Sequence, residues 1–113
     1  MDATQLMKGI LEGCVLAIIE KEETYGYQIL SALEQGGFDS LSEGTLYPVL
    51  TRLDKNGYIS CRRAKSPLGP IRKYYSITEE GRSYLQEFKE TYKQITRQAN
   101  HILFEHTQNN GKD

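Results

Sequence analysis

The chain has 113 residues, 38% of them hydrophobic, with 14 Lys or Arg against 15 Asp or Glu and a formal net charge of −1. That length suits one domain around one core. Its most apolar stretch, Ile10 to Ile19, is interrupted by Glu12 and Gly13, so no membrane span is predicted; the N-terminus lacks the basic-then-apolar pattern of a secretory leader, which makes the cytoplasm the expected location.

The first segment, Thr4 to Lys21, reads as one helix. Leu6, Met7, Ile10, Leu11, Cys14, Val15, Ile18 and Ile19 follow the 3-then-4 spacing of a helical stripe. Leu16 and Ala17 widen it, predicting burial on more than one side. Thr24 is expected to cap a second helix from Tyr25 to Gln35, with Tyr27, Ile29, Leu30 and Leu33 facing inward. Gly36-Gly37 should stop it.

A third helix is predicted over Glu43 to Lys55, capped by Ser42, with Ser40 and Glu43 as a rival capping box. Asn56-Gly57 ends it. At 100° per residue, Leu46, Val49, Leu50 and Leu53 fall on one side, and Gly44, Tyr47, Pro48, Thr51, Arg52 and Lys55 on the other. Pro48 removes one backbone hydrogen bond and should kink the helix. Two strands follow, Tyr58 to Lys65 and Ile71 to Thr78, joined by a turn-forming Ser66-Pro67-Leu68-Gly69-Pro70. Alternation puts Ile59 with Cys61, and Tyr75 with Ile77, on the inner face; Arg62, Arg72 and Tyr74 point the other way.

A last helix begins at Glu79, capped by Thr78. Leu85, Phe88, Tyr92, Ile95, Ala99, Ile102 and His106 are spaced alternately 3 and 4 apart. That is a heptad seam suited to a partner helix. Asn109 to Asp113 reads as a frayed tail. The predicted architecture is mostly α with a small β-hairpin: a winged helix-turn-helix over residues 1–78, then a dimerisation helix and tail over 79–113.

Charge is unevenly placed along this plan. Residues 44–78 carry seven bases (Arg52, Lys55, Arg62, Arg63, Lys65, Arg72, Lys73) and one acid, Asp54, whereas the first 43 residues carry two bases and eight acids. A basic hairpin beside an exposed helix can fill a major groove and grip the flanking phosphates. Gly44 allows close backbone approach at a helix N-terminus that favours an anion. Thr45 and Tyr47 can donate hydrogen bonds to base edges; Arg52 and Lys55 extend the contact, and Arg62, Arg63, Lys65, Arg72 and Lys73 suit the backbone. Pro67 and Pro70 stiffen the hairpin tip.

Other chemistries find less support. His101 and His106 lie five apart, about 140° around a helix, so no metal site is expected. No phosphate loop or nucleophile elbow is present, so neither an enzyme nor a cofactor is expected. Cys61 beside Arg62 and Arg63 suggests a redox-responsive thiol, against which strand alternation turns it inward. A protein-interaction module that kept the fold and lost DNA binding fits poorly with seven clustered bases, because charge is depleted at interface cores.

Three blocks of sequence, agreeing in order and spacing, resemble PadR-type transcriptional regulators. Ser42-Glu43-Gly44-Thr45-Leu46-Tyr47-Pro48-Val49-Leu50-Thr51-Arg52-Leu53, then Asn56-Gly57-Tyr58-Ile59, resembles the family signature. Tyr25-Gly26-Tyr27-Gln28-Ile29 is similar to its second-helix opening, and Gly69 to Gly81 to its wing strand and the start of its last helix. Lys8-Gly9-Ile10-Leu11-Glu12 fits its first helix. The resemblance spans about residues 6 to 85. It implies a bacterial homodimeric repressor on a palindromic double-stranded DNA operator. The helix from Ser42 would enter the major groove, and the last helix would pair with the partner and pack on its first helix, around Leu6 and Ile10. It also implies a small aromatic or phenolic effector; short members that stack planar drugs use a Trp, and this chain has none.

Overall fold

The computed structural model describes residues 1–105. His106 and the tail Asn109 to Asp113, expected respectively in the seam and beyond the last helix, lie outside the described residues. The order is α1 (Thr4–Met7), α2 (Ile10–Lys21), β1 (Thr24–Tyr25), α3 (Gly26–Gln35), α4 (Glu43–Lys55), β2 (Ile59–Lys65), β3 (Ile71–Ile77) and α5 (Glu79–Asn100), which runs into a π-helical turn, His101–Glu105.

The single first helix of the sequence reading is thus two. The four-residue hydrogen-bond pattern is interrupted at Lys8-Gly9, where the Lys8 N–H donates to the Gln5 carbonyl three residues back at 3.4 Å, although both residues keep helical dihedrals. Glycine's low helix propensity weakens the chain at that point. A second departure concerns Thr24, which caps nothing. It forms β1 with Tyr25, pairing Thr24 with Tyr75 and Tyr25 with Tyr74, and its hydroxyl lies 2.9 Å from Gln28 Oε1. The sheet therefore has three antiparallel strands in the order β1-β3-β2. α4 has the predicted bounds. Ser42 takes the N-cap position with extended backbone, but its side chain makes no capping bond. Gly57 at φ 81° turns the chain out of the helix, a conformation that glycine adopts without a Cβ clash.

One core unites the helices: Leu11, Val15, Leu16 and Ile19 of α2, Ile29 and Leu33 of α3, and Leu46, Val49, Leu50 and Leu53 of α4, closed by Ile59, Tyr75 and Leu85. Fully burying a side chain of this size contributes about 1.5–3 kcal/mol, so α4 is held firmly by its inner face. Thr78 caps α5 as expected, accepting from the Gly81 N–H at 3.0 Å. Phe88 lies where a side chain on Gly13 would stand, so α5 rides closely on α2. Beyond Phe88 α5 leaves the body, and the molecule measures 66 × 29 × 20 Å.

Candidate nucleic-acid interface

Because Leu46, Val49, Leu50 and Leu53 are buried, the opposite side of α4 must face outward. Ser42, Gly44, Thr45, Tyr47, Pro48, Thr51, Arg52 and Lys55 are all exposed. They do not form a single surface. Tyr47 and Glu43 meet the wing residues Arg72 and Lys73, with Tyr25 and Tyr27, around a groove of about 440 Å³. Gly44, Thr45, Pro48 and Arg52 instead line a cleft of about 520 Å³ against the N-terminal residues Thr4, Met7 and Lys8. Tyr27, expected inside, is 72% exposed at the first groove. It sits about 100° around α3 from Gly26, away from the arc of Ile29, Leu30 and Leu33, and that angle could have identified it.

The hairpin projects past the core. On β2 only Ile59 is buried, and Cys61 is exposed rather than inward. β2 is an edge strand that leaves the body after Ile59, so alternation there no longer separates core from solvent. Cys14 is half-buried, and that burial pushes its thiol up. On the outer face of the sheet Arg62 lies 5.0 Å over the Tyr74 ring and Arg72 4.6 Å over the Tyr25 ring. Two of the predicted DNA contacts, Arg62 and Arg52, have acidic partners within the chain. Arg62 makes a two-pronged pair with Glu23, both bonds at 2.7 Å, and holds the Glu23 carboxyl below the usual carboxylate range. Arg52 donates from Nε to Glu12 at 3.1 Å. Among the described residues, Lys55, Arg63, Lys65, Arg72 and Lys73 are in no ion pair. The Arg62 side chain is 58% exposed, so the paired guanidinium still faces solvent.

The predicted seam is likewise divided. Leu85 belongs to the protomer's own core and Phe88 is half-buried on Gly13, because α5 is still seated on α2 there. From Tyr92 onward the seam is open: Ile95, Ala99 and Ile102 are exposed, as is Leu6, while Ile10 is half-buried. Among the described residues no three His, Cys, Asp or Glu are placed to hold a metal ion, and no helix is long and apolar enough to cross a membrane.

A winged helix-turn-helix with these blocks can be compared with known proteins. The model of the transcriptional regulator PadR-like family matches residues 15–87, well over half of the chain. The chain belongs to the PadR-like family. It is similar to a PadR-like transcriptional regulator from Bacillus cereus strain ATCC 14579, with 44% identity and a TM-score of 0.77 over 88% of this chain and 97% of that one. It is 28% identical over 81 residues to the negative transcriptional regulator PadR of Bacillus subtilis, covering 70% of this chain and 44% of that protein. The structure of Bacillus subtilis PadR in complex with operator DNA superposes with a TM-score of 0.63, over 70% of this chain and 46% of that one. This is a family of DNA-binding transcriptional regulators, not of enzymes.

Proposed function

We propose that this PadR-family protein is a homodimeric repressor of the cytoplasm that binds a palindromic operator. α4 would enter the major groove through Gly44, Thr45 and Tyr47, with Ser42, Pro48, Thr51, Arg52 and Lys55 beside it. Arg62, Arg63, Lys65, Arg72 and Lys73 would hold the flanking backbone. Residues 1–78 act as the reader, and within 79–113 the helix from Glu79 joins the subunits ahead of the tail. The observation that carries this reading is the groove shared by α4 and the wing, where the half-exposed Tyr47 stands beside Arg72 and Lys73. It couples a group that can read bases to cations that fix register on phosphates. The open apolar run Tyr92, Ile95, Ala99 and Ile102 supports a second copy as the partner of α5.

Selection of bound duplexes from a random pool tests it. The enriched sequence should be an inverted repeat with half-sites about one turn, near 34–36 Å, apart. A reporter placed behind that repeat should fall when the protein is expressed. A pool with no enriched sequence would overturn the reading. Repeating the selection with small aromatic and phenolic compounds tests the effector class: loss of enrichment with one of them is the expected response.

A further inference from the structure

α4 and α5 are joined in two places. The first is at the start of α5, where the Thr78 hydroxyl donates to the Gly57 carbonyl at 2.6 Å and the Thr78 N–H donates to the Tyr58 carbonyl at 3.1 Å. Gly81 fits against that same Tyr58 carbonyl, in space a Cβ would need. These contacts tie α5 to the turn that ends α4, and apolar packing of Leu85 and Phe88 seats α5 on α2; a directional polar link to α4 itself needs a further contact. The second is Glu12 of α2. Its Oε1 accepts from the Tyr84 hydroxyl of α5 at 2.5 Å and its Oε2 accepts from Arg52 Nε of α4 at 3.1 Å. Among the described residues, Glu12 is the one side chain that hydrogen-bonds to both helices. The Tyr84 ring also stacks on Tyr58, with centroids 4.2 Å apart and planes 11° from parallel, so the phenol is held in place to reach the carboxylate. Glu12 is largely buried between them, its side chain 16% exposed.

We propose that Glu12 is a strut that sets the angle between α4 and α5, and through that angle the half-site spacing the dimer accepts. The inference rests on reading α4 as the groove helix and α5 as the subunit junction. It makes Arg52 a positioning residue rather than a direct reader. The lever lengths make the effect large enough to matter. Tyr84 lies six residues, about 9 Å, along α5 from Thr78, and Ile95 lies seventeen residues, about 25 Å, from it. Slack of about 1 Å at the strut therefore becomes about 3 Å at the open seam, close to the 3.4 Å rise of one base pair. Each base pair also turns the half-site by about 35° around the duplex. A junction with that slack tolerates a half-site displaced by one base pair, whereas a braced one does not.

The test is titration of the full-length dimer on duplexes carrying the selected repeat at its optimal spacing and at one base pair shorter and longer. The wild-type protein should prefer the optimum sharply. Tyr84→Phe, which removes only the hydroxyl and keeps the stack on Tyr58, and Glu12→Ala should each lower that preference by at least about threefold, and the double variant should do no worse than Glu12→Ala alone, because that substitution already removes the Tyr84 contact. Variants that keep the wild-type ratio would overturn the strut. So would a change in affinity that is equal at every spacing, which would make Arg52 a DNA contact rather than a positioning residue. A wild-type protein indifferent to spacing would sink the dimer reading instead. A second measurement needs neither DNA nor a dimer: the distance between spin labels at positions 54 and 87, in protein freed of its two cysteines and diluted with unlabelled chain. Its distribution should broaden in Tyr84→Phe and Glu12→Ala; an unchanged distribution rejects the proposal.

Discussion

The Tyr47 hydroxyl lies 2.8 Å from the point that a Cβ on Gly26 would occupy. Gly26 is the first residue of α3 and is buried, so the start of one helix forms the seat for the aromatic side chain of the next. Gly26→Ala would push the ring tip off its seat, and that tip is the flexible end of a long side chain. The backbone need not move. Ala is also the better helix former. Folding stability should hold or rise while operator affinity falls. The fall should approach that of Tyr47→Ala, roughly 1–3 kcal/mol for loss of a good base contact. Gel-shift titration and urea unfolding of the two variants check this. Wild-type affinity in both would take Tyr47 off the reading surface.

The wing cations are not equivalent. Lys65 has no carboxylate partner among the described residues, whereas Arg62 is held by Glu23 and lies over Tyr74. Lys65→Ala should therefore weaken operator and random DNA about equally and flatten the salt slope by about one unit. Arg62→Ala should flatten it less, since Glu23 already offsets that charge. Glu23→Gln should steepen it. Affinity measured across a salt series separates these outcomes. A larger slope change for Arg62→Ala than for Lys65→Ala would mean that DNA displaces Glu23 completely.

What could be read from the sequence was what local chemistry decides. The bounds of α4 were legible because Ser42 and Asn56-Gly57 punctuate it and its apolar residues fall on one arc. The start of α5 was legible because Thr78 caps it and two acids follow. Contacts between distant residues were not legible. Thr24 looked like a cap because its pairing with Tyr75 lies fifty-one positions away. Glu12 and Glu23 gave no hint that they hold Arg52 and Arg62, forty and thirty-nine residues on. Cys61 misled for a related reason: alternation tells the two faces of a strand apart but not how far the strand extends past the core. The apolar stripe likewise ran across Gly9 without marking the break there.

The open part of the α5 seam gives a prediction about assembly. Ile95 is 57% exposed in one protomer, with Tyr92 and Ala99 exposed on either side of it in the spacing and Ile102 beyond. Ile95→Glu places a charge where a second helix would pack and, at a mostly exposed position, disturbs little within the protomer. It should shift the protein to monomer in light scattering, leave its helical content unchanged, and weaken operator binding along with the dimer. A dimer that persists would move the interface elsewhere.

The bond between Tyr84 and Glu12 has a signature at high pH. Donating that hydrogen bond to the Glu12 carboxylate, with burial adding to it, pushes the Tyr84 phenol from its usual value near 10 up to about 12. The folded state therefore favours the neutral phenol. In the unfolded chain Tyr84 loses its proton near pH 10, while in the folded chain it keeps it until about pH 12. The stabilisation is fully present below about pH 10 and is lost as pH rises toward 12, because the unfolded state binds fewer protons across that window. Tyr75, pushed up to about 12 chiefly by burial, titrates in the same window, so alkaline loss alone assigns nothing. The difference between wild type and Tyr84→Phe does, since Tyr75 is common to both. Urea unfolding from about pH 9 to 12 should show the wild type losing stability more steeply than Tyr84→Phe. Parallel curves would mean that the Tyr84 hydroxyl is not held by Glu12 in solution.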